Sequence, residues 1–98
     1  MPEASGHGRS PCIAVVEDDR LVRRAWCEAV TAGGYEVLEA ADGAELLARL
    51  HEARPKLILL DMLLPNVDGF EILARLRADA EWRDVPILVV SDLSETLA

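Results

Sequence analysis

Four short apolar runs divide the chain, and amphipathic stretches separate them. Cys12 to Val16 reads Cys-Ile-Ala-Val-Val and stops at Glu17, Asp18 and Asp19. A continuous apolar run of this length predicts a strand buried on both faces. Asp18 and Asp19 then stand where a helix is capped. From Leu21 to Ala32 the apolar residues Val22, Trp26, Ala29 and Val30 recur at helical spacing. Gly33-Gly34 stops that helix, because glycine accepts a left-handed cap. Tyr35 to Ala40 predicts a second strand. Asp42-Gly43-Ala44-Glu45 is a capping-box signal for a second helix, with Leu46, Leu47 and Leu50 as its buried stripe. Pro55 ends it. Lys56 to Leu60 predicts a third strand, halting at Asp61, and Met62 to Val67 predicts a loop. Asp68-Gly69-Phe70-Glu71 opens a third helix with a second capping box, and Phe70, Leu73 and Leu76 form its stripe. Pro86 to Val90 predicts a fourth strand ending at Ser91. Ser94-Glu95-Thr96-Leu97 has a helix-opening pattern in a remainder too short for a further unit.

The predicted order is β-α-β-α-β-α-β. Buried strands alternating with amphipathic helices imply an α/β fold, a doubly wound parallel sheet with helices on both faces. In such sheets, sites form beyond the carboxyl ends of the strands.

Composition narrows what the chain can do. Its 98 residues allow one domain, and 51% of them are hydrophobic, enough for one core. The net charge of −8 argues against a sequence-blind nucleic-acid binder and against docking on an anionic membrane. Residues 1–11 are rich in Gly, Ser and Pro and read as a flexible tail rather than a secretory signal, with His7 alone in it. No run approaches membrane-spanning length. Cys12 and Cys27 fall inside apolar periodic segments with no metal-ligand spacing, so they read as buried reduced thiols in a cytoplasmic protein.

The carboxyl edge carries the candidate chemistry. The first strand ends at Glu17-Asp18, the third at Asp61 and the fourth at Ser91. If the first and third strands are neighbours, Glu17, Asp18 and Asp61 converge. Three carboxylates this close repel one another unless a cation intervenes. Magnesium suits a shallow oxygen-lined site, because it keeps several waters and shares its ligands with a phosphate. A carboxylate beside it can act as nucleophile towards a phosphoryl group. Each piece alone has a plainer reading. Glu17-Asp18-Asp19 can be a helix cap favoured by the dipole, and Asp61 and Ser91 can be polar strand ends. The coincidence of all three edges favours a site.

These residues resemble a known family. Val15-Val16-Glu17-Asp18-Asp19, the stretch Leu59-Leu60-Asp61-Met62-Leu63-Leu64-Pro65-Asn66-Val67-Asp68-Gly69, and Pro86-Ile87-Leu88-Val89-Val90-Ser91 look like the receiver domain of bacterial response regulators. The likeness runs from about Ile13 to Ser94. It implies a flavodoxin-like receiver fold with strand order 2-1-3-4. It implies a phospho-accepting module of a two-component or phosphorelay system that is not itself an enzyme. Asp61 would accept a phosphoryl group from a histidine kinase or phosphotransfer protein. Mg2+ would be held by Glu17, Asp18, Asp61 and the main-chain carbonyl of Leu63. Ser91 would bind the phosphoryl group and take part in the switch, and Pro65 and Gly69 would shape the loop.

The sequence also departs from the family. The family's fifth strand, its closing lysine, its switch aromatic and the last helices have no counterpart here, so residues 12–98 read as an incomplete receiver domain. Lys56, the sequence's one lysine, opens the third strand. It therefore lies roughly 15 Å from Asp61 at the wrong edge, at ~3.3 Å per residue. Asp92 follows the switch serine where the family usually has a small residue. It either weakens phosphoryl entry or caps a helix starting at Leu93. An uncovered fourth strand implies self-association through its edge, exchange of elements with a partner copy, or a chain that is part of a longer protein, and it leaves part of the Trp26 stripe exposed. The alternative function is a degenerate receiver that serves as an interaction or dimerisation module without phospho-switching. A haloacid-dehalogenase-type phosphatase would need a second Asp two positions after Asp61, where Leu63 stands. A dinucleotide site would need a Gly-rich turn after the first strand, and none is present.

Overall fold

The computed structural model describes residues 10–61 and 69–90. Among them the elements are β1 (Cys12–Val16), α1 (Arg20–Ala32), β2 (Glu36–Ala40), α2 (Gly43–Ala53), β3 (Leu57–Asp61), α3 (Gly69–Ala78) and β4 (Ile87–Val90). The strands form one parallel sheet in the order β2-β1-β3-β4. Element order and strand direction match the α/β expectation, and the strands and the first two helices lie within a residue or two of their predicted bounds. The loop over 62–67, the Asp68 cap, Ser91 and the pattern at 94–97 lie outside the described residues.

All five residues of β1 are buried, as its unbroken apolar run requires. Alternation divides the sheet's two faces. Ala14, Val16, Leu38, Ala40, Ile58 and Leu60 share one cluster with Leu46 and Leu50 of α2 and Ile72 and Leu76 of α3. Ile13 and Val15 are buried outside that cluster. Alternation directs them to the opposite face, where α1 packs on β1 and β2. Cover on this face fades towards β4. Along one row of the register, Val15 is fully buried, Leu59 is half-buried and Leu88 is 55% exposed.

Local signals explain where the helices begin and end. Asp19, not Asp18, is the N-cap of α1, its Oδ1 accepting from the amides of Leu21 and Val22. The α1 cap is Gly33, and Gly34 takes the left-handed turn at φ 94°. The capping box of α2 is shifted by one residue. Asp42 Oδ1 accepts from the Glu45 amide, while Glu45 Oε1 accepts from the amide of Ala41. Arg54 caps the other end at φ 49°, directly before Pro55.

Two stripes differ from the periodic reading. In α1 the residues turned inward are Arg23, Cys27 and Val30, whereas Val22 and Ala29 are exposed and Trp26 is half-buried. On this inward side Arg23 pairs with Glu39 on β2. In α3, Ile72 and Leu76 are buried, while Phe70 is 70% exposed. Trp82 was not singled out from the sequence, yet from the turn after α3 it is buried in the core cluster. There it meets His51 edge-on, and the Arg54 guanidinium lies 5.3 Å from its ring centre.

Candidate functional site

The sheet register levels the site. Val16 pairs with Leu60, so Glu17 and Asp61 are the next residues of neighbouring parallel strands. The Glu17 amide donates to the Ala40 carbonyl, extending the β1–β2 ladder by one residue. Ligand oxygens of Glu17, Asp18 and Asp61 all lie within 4.8 Å of one another. Because Asp19 caps α1, the carboxylate of Asp18 stays with this cluster.

Glu17 is only 6% exposed. Burial pushes its carboxyl up to about 7, and the nearby charges of Asp61 and Asp18 add to the shift. The amide of Asp19, donating to Glu17 Oε2 at 2.9 Å, opposes it in part. An acid raised by burial and by neighbouring like charges is one that a nearby cation would stabilise in its ionised form. The donor set is hard oxygen throughout, and a divalent metal ion fits it chemically.

The sequence reading missed the support behind these acids. Arg23 Nη1 donates to the main-chain carbonyl of Glu17 at 2.8 Å and reaches that of Asp18 at 3.5 Å. Its Nε donates to Glu39 Oε2 at 3.0 Å. Arg49 in turn donates to the carbonyl of Glu39 at 2.8 Å. The sequence does not single out this pair, since Glu39 is one of two acids in β2, with Glu36 the other.

Of the other expected site residues, Gly69 is buried and opens α3. Leu63, Pro65, Ser91 and Asp92 lie outside the described residues. Lys56 is placed as expected, away from the acids. Its amide bonds to the Cys12 carbonyl at the amino edge of the sheet. Cys12 and Cys27 are free and buried, and burial pushes both thiols up, which makes them poor nucleophiles.

Comparison with known proteins agrees with this geometry. The model of the response regulator receiver domain matches residues 13–97. The DNA-binding dual master transcriptional regulator RpaA of Synechocystis is 35% identical over 85 residues, which cover 87% of this chain and 35% of that regulator. The polar-differentiation response regulator DivK of Brucella anthropi is 37% identical over 79 residues, covering 81% of this chain and 64% of DivK. The chain thus spans from about a third to just under two thirds of these relatives. Among solved structures, the chemotaxis response regulator CheY4 of Vibrio cholerae superposes with a TM-score of 0.77 at 32% identity, over 82% of this chain and 67% of CheY4. Fold, acidic edge and sequence agree, and the chain belongs to the response regulator receiver domain family of two-component signalling.

Proposed function

We propose that Asp61 accepts a phosphoryl group from a histidine kinase or phosphotransfer protein, in a reaction that needs Mg2+. The observation that carries this reading is the convergence of Glu17, Asp18 and Asp61 within 4.8 Å at the carboxyl edge. These three carboxylates would hold the cation, with the Leu63 carbonyl as a further ligand. When bound, Mg2+ supplies positive charge against the phosphoryl oxygens and against the acids themselves. Asp61 is the nucleophile. One of its carboxylate oxygens forms a bond to phosphorus as the bond to the donor's nitrogen breaks, leaving an acyl phosphate on Asp61. Glu17 and Asp18 remain unmodified and hold the site's negative charge. Ser91 would donate a hydrogen bond to the phosphoryl group, Pro65 and Gly69 would shape the loop, and Asp92 would slow phosphoryl entry.

The same reading makes the chain a signalling module rather than an enzyme, working in the cytoplasm. A degenerate receiver would keep the same acids and differ in taking no phosphoryl group. Incubation with a small-molecule phosphodonor and Mg2+ tests it. One phosphoryl group should appear on the chain, and Asp61→Asn should remove it. A folded chain that takes no label would select the interaction-module alternative.

A second element of the proposal is self-association through β4. Among the described residues β4 has a strand neighbour on one side only, with Leu88 55% and Val89 42% exposed. Open apolar edges of this kind pair readily with another strand.

A further inference from the structure

We infer that Arg23 is a positioning residue for the cation site, held in place by Glu39. The inference rests on the proposed Mg2+ site and adds a residue that neither the acidic motif nor the phospho-acceptor reading assigns. Arg23 lies on the sheet-facing side of α1 with its side chain only 15% exposed. A guanidinium is a rigid fork, and here its two ends do different work. Nε is fixed by Glu39, while Nη1 donates to the Glu17 carbonyl and reaches the Asp18 carbonyl. The fork therefore grips the backbone of the β1–α1 turn and leaves both carboxylates to the cluster. Glu39 is itself steadied, because Arg49 donates to its carbonyl while ion-pairing with Glu45 and Glu52 on α2.

This arrangement answers a specific difficulty. Without a cation the three acids push one another apart, and the turn carrying two of them is the part free to yield. Arg23 opposes that motion from behind. Outer partners that orient metal ligands commonly change metal affinity by about 10–100-fold when removed.

A charge role and a positioning role predict different outcomes. As a mere nearby cation, Arg23 repels Mg2+, so Arg23→Gln should tighten binding and Arg23→Lys should leave it unchanged. As a positioning fork, it cannot be replaced by lysine, whose single ammonium cannot span Glu39 and the carbonyls. The experiment is calorimetric titration of the chain with Mg2+, with each variant's fold checked by circular dichroism. Arg23→Lys should weaken Mg2+ binding by about tenfold. Glu39→Gln, which keeps the Arg23 charge but weakens its anchor by removing the ion pair, should weaken it in the same direction. The double variant should be no more than about twofold weaker than Arg23→Lys alone, because the two residues act as one unit. Arg23→Lys and Glu39→Gln both binding like wild type would overturn the inference, as would tighter binding by Arg23→Gln. Should Arg23→Lys not fold, Arg23→Gln decides: weaker Mg2+ binding supports positioning, and tighter binding overturns it. If wild type binds no Mg2+, or if Asp61→Asn binds as tightly as wild type, the cation site itself fails and the inference fails with it.

Discussion

Glu17 carries the electrostatics of the site in one side chain. Its carboxyl is raised from the ordinary 4.5 to about 7 by burial and by Asp61 and Asp18. The folded, metal-free chain therefore holds a proton between these values that the unfolded chain has released. The stabilisation from this group is fully present below about 4.5 and is lost as pH rises through about 7. We expect the thermal midpoint of the metal-free chain to fall as pH rises from about 5 to about 8, and Glu17→Gln to flatten that part of the slope. A wild-type slope unchanged by the substitution would show that other groups govern it. Mg2+ affinity should rise over the same interval, since the cation needs the ionised carboxylate. At this scale the acids were legible in the sequence, because strand ends in a parallel sheet come into line. Arg23 and Glu39 were not, because their partnership spans 16 positions and depends on how α1 is rotated about its axis.

The elements were legible in kind and less so in facing. Unbroken apolar runs marked the strands, and Asp, Gly and Pro marked the helix ends. A periodic stripe, however, fixes a helix face only to about one residue when an apolar neighbour stands beside it. In α3, Ile72 and Phe70 both fit an apolar reading, yet Ile72 is fully buried and Phe70 is 70% exposed. Denaturant unfolding separates the two. Ile72→Ala should destabilise the chain by about 2–5 kcal/mol, the usual result of emptying a packed site. Phe70→Ala should change stability by about 0.5 kcal/mol or less, as surface substitutions do. The reverse order would mean that α3 is rotated. Asp19→Ala should cost about 1 kcal/mol through loss of the α1 cap, with Asp18 unable to replace it.

For the molecule as a whole, alternating strands and helices made the parallel α/β sheet legible, while the strand order followed from the resemblance to receiver domains. What the sheet leaves uncovered was legible only in part. That β4 has one strand neighbour among the described residues agrees with expectation, whereas the graded loss of cover from Val15 through Leu59 to Leu88 appears only once the register is known. Sedimentation should show association of the wild-type chain that grows with concentration, and Leu88→Lys should reduce it by placing a charge on the edge strand. A monomer at every concentration would rule out association through β4. The central claim concerns the carboxyl end of β3, at Asp61. Its most direct test is to treat the chain with a small phosphodonor, with Mg2+ or with a chelator, and to locate the label by peptide mass mapping. The account predicts one phosphoryl group, on Asp61, formed with Mg2+ and not with the chelator. A label on any other residue, or equal labelling of Asp61 without the metal ion, would contradict it.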